Sequence, residues 1–299
     1  MFNSSTSELL KEEALLDETL RHLMIRNHGA YTLFGVKPIT LFLEGDGQID
    51  REKEMKEFFQ FPPEAQKRYR KIKKKEYRTL PQYLKKKYSE EDVFFSDYHW
   101  KELWKFWEEH WEEYTGDRYF FLLKKESNFG RLFVNVNEVI YHLYRYYDDF
   151  KKVAGRDFSP EQVLKELKQG ISEFWESVFA SDYLAGLLFG YGEKSSLLFR
   201  IKSDEKINRL SYVIDSKKNG WNLHKAYLDI SDLAIPEFKL FSLYDEQLTT
   251  FQRERDRIIN FYSEGDFVTK TLSLLRQEDH ILLDAVSGKT IQIKKSTAR

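Results

Sequence analysis

His28-Gly29-Ala30-Tyr31-Thr32-Leu33-Phe34-Gly35-Val36-Lys37-Pro38 puts two glycines, two aromatics, a lysine and a proline into eleven residues, the densest punctuation in the chain. An amphipathic helix is predicted to run into it. Ser7 suits an N-cap, and Leu9, Leu16, Leu20, Leu23 and Met24 recur on one face as far as about Asn27. Asn27-His28-Gly29 then supplies a left-handed stop. Residues 31–34 read as a short strand and Gly35 as a bend. Lys37-Pro38 reads as an extended pair, because proline pushes its predecessor out of the helical region. A strand-like run over 39–43 leaves the segment and ends at a Gly45-Asp46-Gly47 turn.

At 299 residues the chain is long enough to bury a sizeable core. Aromatics make up 16% of it, with 24 Phe and 18 Tyr, so the core is expected to be built on rings. The net charge of -1 provides no global field to steer a polyanion. With no cysteine, disulfides, thiolate metal sites and cysteine nucleophiles are excluded. The N-terminus has no signal-peptide pattern, and no apolar run is long enough for a transmembrane segment. As written, the chain reads as soluble and cytoplasmic. Removal of a leader would make it secreted or envelope-associated.

The local charge is segregated. From Gln66 to Tyr88 there are eleven Lys or Arg residues interleaved with Tyr69, Tyr77, Tyr83 and Tyr88. Residues 89–114 reverse the sign around Trp100, Trp104, Trp107 and Trp111, whose four-three-four spacing marks one helical face. The pair suggests a helical hairpin whose arms neutralise each other. The tryptophan stripe reads as core packing, with an exposed docking face as the alternative.

Further on, strands are expected at 119–125 and 131–136 around a 127–130 turn, followed by a helix over 137–154 ended by Gly155. Ser159-Pro160-Glu161 is a helix start, with serine as N-cap and proline at the first position. That helix is read as continuing to about Ser181, and another over 182–189 breaks at Gly190-Tyr191-Gly192. A hairpin is expected between 210–215 and 221–228 across a 216–220 turn. Helices over 245–262 and 266–276 precede a C-terminal hairpin pairing 280–286 with 290–294.

Three segments carry a resemblance. Ala30-Tyr31-Thr32-Leu33-Phe34-Gly35-Val36-Lys37-Pro38 resembles a segment of the form G/A-Y-T-L-F-G-x-K-P. Leu184-Ala185-Gly186-Leu187-Leu188-Phe189-Gly190-Tyr191-Gly192 resembles L-x-G-x-L-L-G-Y-G, ahead of an L-F pair that is here Leu198-Phe199. Phe120-Phe121-Leu122-Leu123-Lys124-Lys125 matches a middle strand of the same pattern. Together they resemble an uncharacterised family of proteins from host-associated bacteria. The chain departs from it at Phe189, where leucine is expected, and over 193–196, where an asparagine is expected. The family has no assigned activity, so the resemblance implies a bacterial origin and nothing catalytic.

Chemistry-bearing patterns are sparse. Gly190-Tyr191-Gly192-Glu193-Lys194-Ser195 has a phosphate loop's residue types at the wrong spacing, after a helical rather than a strand-like element; a helix-terminating loop explains it better. Glu18 with His22, Glu138 with His142, His99 with Glu102, and His110 with Glu113 are spaced as metal ligands can be, but no established metal motif is completed. No cofactor and no metal is therefore expected, and no catalytic pair stands out.

The expected fold is α+β and helix-dominated, with a small antiparallel sheet and hairpins. It is read as one compact domain over 1–299, with 51–114 as a projecting basic/acidic lobe if it stands apart. The leading function is a non-enzymatic interaction or structural protein with another protein as partner. Two alternatives stay open. One is an enzyme of unrecognised type using the Tyr31–Lys37 and Gly190–Ser195 loops, with Tyr31, Phe34, Gly35, Lys37 and Tyr191 as candidate binding residues. The other is a binder of nucleic acid or an anionic membrane surface through residues 66–88, with Lys73, Lys74 and Lys75 at its centre.

Overall fold

The computed structural model describes residues 6–42, 58–79, 82, 85, 89, 100–123, 130–200, 212–213, 228–236, 238–240, 245–276, 281–283 and 290–292. The expected turns at 45–47, 216–220 and 287–289, together with Tyr83, Tyr88 and residues 90–99 of the acidic run, lie outside the described residues. Within them the protein is a helix-dominated α+β fold.

At the centre, β1 (Ile39–Phe42), β2 (Tyr119–Leu122) and β3 (Arg131–Asn135) form an antiparallel sheet in the order β1-β3-β2. The register places Phe133 between Thr40 and Phe121, and Leu132 between Leu41 and Leu122. Successive side chains of a strand point to opposite faces. Phe42, Tyr119, Phe121 and Phe133 therefore enter one core, while Ile39, Phe120, Leu122, Leu132 and Val134 enter a second. The Phe121 and Phe133 rings stack 4.4 Å apart.

The helices in chain order are α1 (Thr6–Arg21), α2 (Gly29–Leu33), α3 (Pro63–Thr79), α4 (Trp100–Tyr114), α5 (Val136–Arg145), α6 (Tyr147–Ala154), α7 (Pro160–Gln169), α8 (Glu173–Ala180), α9 (Asp182–Leu188), α10 (Gly192–Arg200), α11 (Glu246–Tyr262) and α12 (Phe267–Arg276). The first core draws on α1, α2, α4, α11 and α12, and the second on α5 to α9. The sheet is thus an internal partition with helices on both sides.

Several local readings appear as expected. The Ser159 hydroxyl accepts a hydrogen bond from the Gln162 amide, with Pro160 opening α7. Asp245 caps α11. Gly155 closes α6 at φ 68°. Trp107 is fully buried and meets the Phe121 ring edge-on at 5.1 Å; Trp104 is buried against Phe42 at 5.3 Å. The tryptophan stripe therefore covers one face of the sheet. Trp111 is half-buried, and the side chain of Trp100 lies outside the described residues.

Other readings need correction. Residues 31–34 form no strand: Tyr31 to Leu33 lie in α2, which Phe34 caps. Four residues, Tyr-Thr-Leu-Phe, are too few to show a period that separates helix from strand. Here the Val36 and Lys37 amides both donate to the Tyr31 carbonyl, winding the chain into a helical exit. The helix expected from Ser159 to Ser181 breaks at Gly170, and the one over 137–154 divides at Tyr146. In the 210–228 region, β4 (Tyr212–Val213) pairs with the distant β5 (Lys239–Leu240), and 214–227 lie outside the described residues. The C-terminal hairpin, by contrast, pairs as expected, β6 (Ile281–Leu283) with β7 (Thr290–Gln292), in a two-stranded sheet of its own.

Phe133→Ala, at the middle of the partition, should lower unfolding free energy by about 3–5 kcal/mol in urea denaturation. Tyr141→Ala, 52% exposed on α5, should change it by less than about 0.5 kcal/mol. Equal losses would refute the assignment of the sheet as the core.

Candidate functional site

The two recognisable segments, 30–38 and 184–192, meet in space. The approach is prepared by a π-helical turn over His22–Arg26, after which His28 takes the left-handed conformation at φ 61°. Gly29 has a different reason to be glycine: a Cβ there would lie 2.7 Å from the Leu23 carbonyl oxygen. From this corner α2 runs back beneath the sheet. Asn135 Nδ2 donates to the Thr32 carbonyl at 3.1 Å, and the Thr32 and Thr40 hydroxyls share a hydrogen bond of 2.7 Å.

On the other side, α9 ends at Phe189, and Gly190 turns the chain at φ 75°. A Cβ on Gly190 would meet Lys37 Cγ and the Val36 carbonyl oxygen, both at 3.0 Å. Gln247, from α11, donates its Nε2 to the Gly190 carbonyl at 2.6 Å. Tyr191 stacks on Phe238 at 5.7 Å, Phe238 meets Phe251 at 5.3 Å, and Phe251 meets Tyr31 at 5.2 Å. A continuous path of rings thus joins the two segments. Gly186 contributes space: a Cβ there would collide with Ser196 Oγ of α10 at 2.6 Å.

The candidate binding residues divide by environment. Tyr31 is fully buried and donates its hydroxyl to the Ala234 carbonyl at 3.1 Å. Burial raises its pKa above the ordinary phenol range. Phe34 is buried edge-on to Phe261 at 5.3 Å, with the Arg257 guanidinium 5.7 Å from its ring centre. Gly35 sits at φ 76° facing the Glu138 carboxylate, which burial makes a weaker acid than usual. Tyr191 is half-buried.

Lys37 is the chemically distinctive member, at 5% exposure. Its ammonium lies 6.0 Å from the centre of the Tyr191 ring, and among the described residues no carboxylate or carbonyl meets it. Burial lowers its pKa from 10.5 to about 7. Half-buried His28 is held below its usual 6.5 by burial and by the neighbouring Lys37 charge.

Gln247, Asn135 and Glu138 belong to the same neighbourhood, and sequence reading did not single them out for it. They come from elements separated by up to about a hundred residues, so no spacing signal connects them. The expected loop over Gly190–Ser195 is shorter than read: Gly190 turns the chain after α9, and Gly192 to Ser195 already open α10, with Lys194 exposed and Ser195 buried. Among the described residues no group of three or more His, Asp or Glu is placed to hold a metal ion. His110 pairs instead with Glu113 at 3.1 Å.

The basic residues lie elsewhere, on α3. Lys73 is 1% exposed with its ammonium 5.8 Å from the Tyr69 ring centre, so it belongs to the helix's inner side. Lys74 and Lys75 are exposed, as are Lys67, Arg68, Arg70, Lys71 and Arg78. At 100° per residue these exposed cations fall within an arc of about 160°. Residues 90–99 of the acidic run, expected to neutralise them, lie outside the described residues. α4 packs on α1 and α12, its Glu108 pairs with Arg131 at 2.6 Å, and no ion pair joins α3 to α4 among the described residues. No helix among the described residues is long and apolar enough to cross a membrane.

Two measurements test the junction. Gly190→Ala should destabilise the fold by about 2–4 kcal/mol, combining left-handed strain with the clash on Lys37. Gly155→Ala, at φ 68° with nothing within 4 Å, should cost only about 1 kcal/mol. For Lys37, the unfolded chain keeps its proton up to about pH 10.5 while the folded chain gives it up near pH 7. The penalty of burying the charge is therefore complete below pH 7 and relieved as pH rises toward 10.5. The stability difference between Lys37→Met and wild type should shift toward wild type over that window by on the order of a few kcal/mol in urea melts. A difference independent of pH would refute the burial of this amine.

Compared with known proteins, the chain matches no family model, no curated protein and no solved structure.

Proposed function

We propose that the protein is a non-enzymatic interaction protein of a host-associated bacterium that docks on a polyanionic partner through the cationic face of α3. One observation carries the reading. Lys67, Arg68, Arg70, Lys71, Lys74, Lys75 and Arg78 are exposed on one side of a helix, and among the described residues none is in an ion pair. In a chain of net charge -1, such segregation is a local field rather than a consequence of composition. A polyanion meeting it gains by releasing its condensed counterions.

The junction of the two motif segments supports the same reading. The Tyr31 hydroxyl, the Asn135 amide and the Gln247 amide are all engaged with backbone carbonyls of the protein itself. Groups spent in this way act as architecture, fixing two loops against each other.

A second reading, an enzyme of unrecognised type, draws on the approach of Gly190 to Lys37. It requires a resident or passing small molecule at that junction. Native mass spectrometry of protein purified gently from its own cell would reveal a retained one; a bare chain would leave the enzyme reading without support.

The docking reading is tested on a heparin column. Wild-type protein should be retained at about 50 mM salt and elute at higher salt. The triple variant Lys71→Gln, Lys74→Gln, Lys75→Gln should elute at clearly lower salt with an unchanged melting temperature. Wild type in the flow-through, or variant and wild type eluting together, would overturn it.

A further inference from the structure

Resting on that docking reading, we infer that the polyanion is the surface of an anionic lipid bilayer, with Phe59 and Phe61 entering the boundary between headgroups and acyl chains. Phe59 is 62% exposed and Phe61 50%, and they stand immediately ahead of the cationic helix. Exposed Tyr141 and Tyr144 of α5 are comparably open, but their hydroxyls are hydrogen-bonded, whereas these two rings carry no polar group and are the phenylalanines left open among the described residues.

A built turn presents them. Phe58 is buried and anchors the segment, with Phe59 and Phe61 edge-on to it at 5.5 and 6.4 Å. The Phe61 amide donates to the Phe58 carbonyl at 3.2 Å. Gln66 reaches back from the first turns of α3, and its Nε2 donates to the carbonyls of Phe61 at 2.9 Å and Phe59 at 3.3 Å. The Arg70 guanidinium lies 5.3 Å from the Phe58 ring centre, tying the cationic face to the same turn. The apolar tip and the charged face are therefore held as one surface.

Charge and apolarity together select the occupant. α3 is about 25 Å long at 1.5 Å per residue, so its cations spread over more than one screening length, as a planar anionic leaflet can satisfy. Nucleic acid would use aromatics lying among the cations for base stacking. Here Tyr69 and Tyr77 are half-buried, and the exposed rings stand at the end of the charged face. Phenylalanine has no hydrogen-bonding group and gains most where it can leave water altogether. Glu64, exposed in the first turn, is the acid described on this arc, and a carboxylate there complements the helix N-terminus.

The experiment is co-sedimentation of the full chain with phosphatidylcholine vesicles, pure or containing about 30% phosphatidylglycerol. The comparison protein is the double variant Phe59→Ser, Phe61→Ser, whose changes lie at the surface. Wild type should sediment with the anionic vesicles only, and less so as salt is raised. The phenylalanine variant should lose roughly tenfold or more in vesicle partitioning, while its elution from heparin stays where wild type elutes. Equal vesicle binding by the two proteins would overturn the bilayer inference and leave the polyanion reading standing, as would retention on heparin without binding to anionic vesicles. Failure of wild type on both heparin and anionic vesicles would remove the polyanion reading itself.

Discussion

The strand Arg131–Asn135 lies between two others and sends alternate side chains into two separate hydrophobic cores, so neither face of the sheet meets water. This constraint orders most of the described chain. A strand buried on both faces cannot slip by one residue without exchanging the two side-chain sets. It also needs both cores to form around it. The helices therefore fold as two layers on one partition, with α11 and α12 returning to the side of α1, α2 and α4 and α5 to α9 on the other.

A sheet without a wet face must close its polar groups internally. Asn135, fully buried, caps α5 through its oxygen and holds the Thr32 carbonyl through its nitrogen, joining β3, α5 and α2 at one point. The Tyr119 hydroxyl donates to the Leu33 carbonyl at 2.7 Å, and burial pushes its pKa up to about 12. At the other end Arg131, largely buried, lies 4.5 Å from the Trp104 ring centre and pairs with Glu108. These bonds turn α2 into the strut that carries the sheet's order to the Gly190 loop. Lys37 sits at the far end of that strut, with Gly190 fitted tightly against its stem.

The helix α3 obeys a different rule. Several charged groups elsewhere sit beside partners, as with Arg21 and Asp17 at 2.8 Å or Lys151 and Asp157 at 2.7 Å. On α3 the exposed cations share one face and repel each other, at a cost of a few tenths of a kcal/mol per close pair. The helix keeps that arrangement beside two open phenylalanines, which separates its role from that of the core.

Much of the fold was legible because its cause is local. Helical spacing of leucines placed α1, serine followed by proline opened α7, aspartate capped α11, and a glycine closed α6; each needs only neighbours within a turn. The tryptophan spacing fixed a helical face, and large aromatics on one face imply burial. Residues 31–34 read as a strand because four residues are too few to show a period, whereas the Phe34 amide bond to the Ala30 carbonyl, closed by those of Val36 and Lys37 to Tyr31, makes a helix. The pairing of Tyr212–Val213 with Lys239–Leu240, the meeting of Lys37 with Gly190, and the burial of Lys73 beside exposed Lys74 were likewise beyond the sequence. By itself the sequence determined the starts of α7 and α11, the end of α6 and the apolar sides of α1 and α4, because those follow from steric and hydrogen-bonding needs of adjacent residues. Which residues meet across the molecule, and so which lysines face solvent and which face a ring, was decided only when long-range packing chose among faces that local preference leaves equivalent.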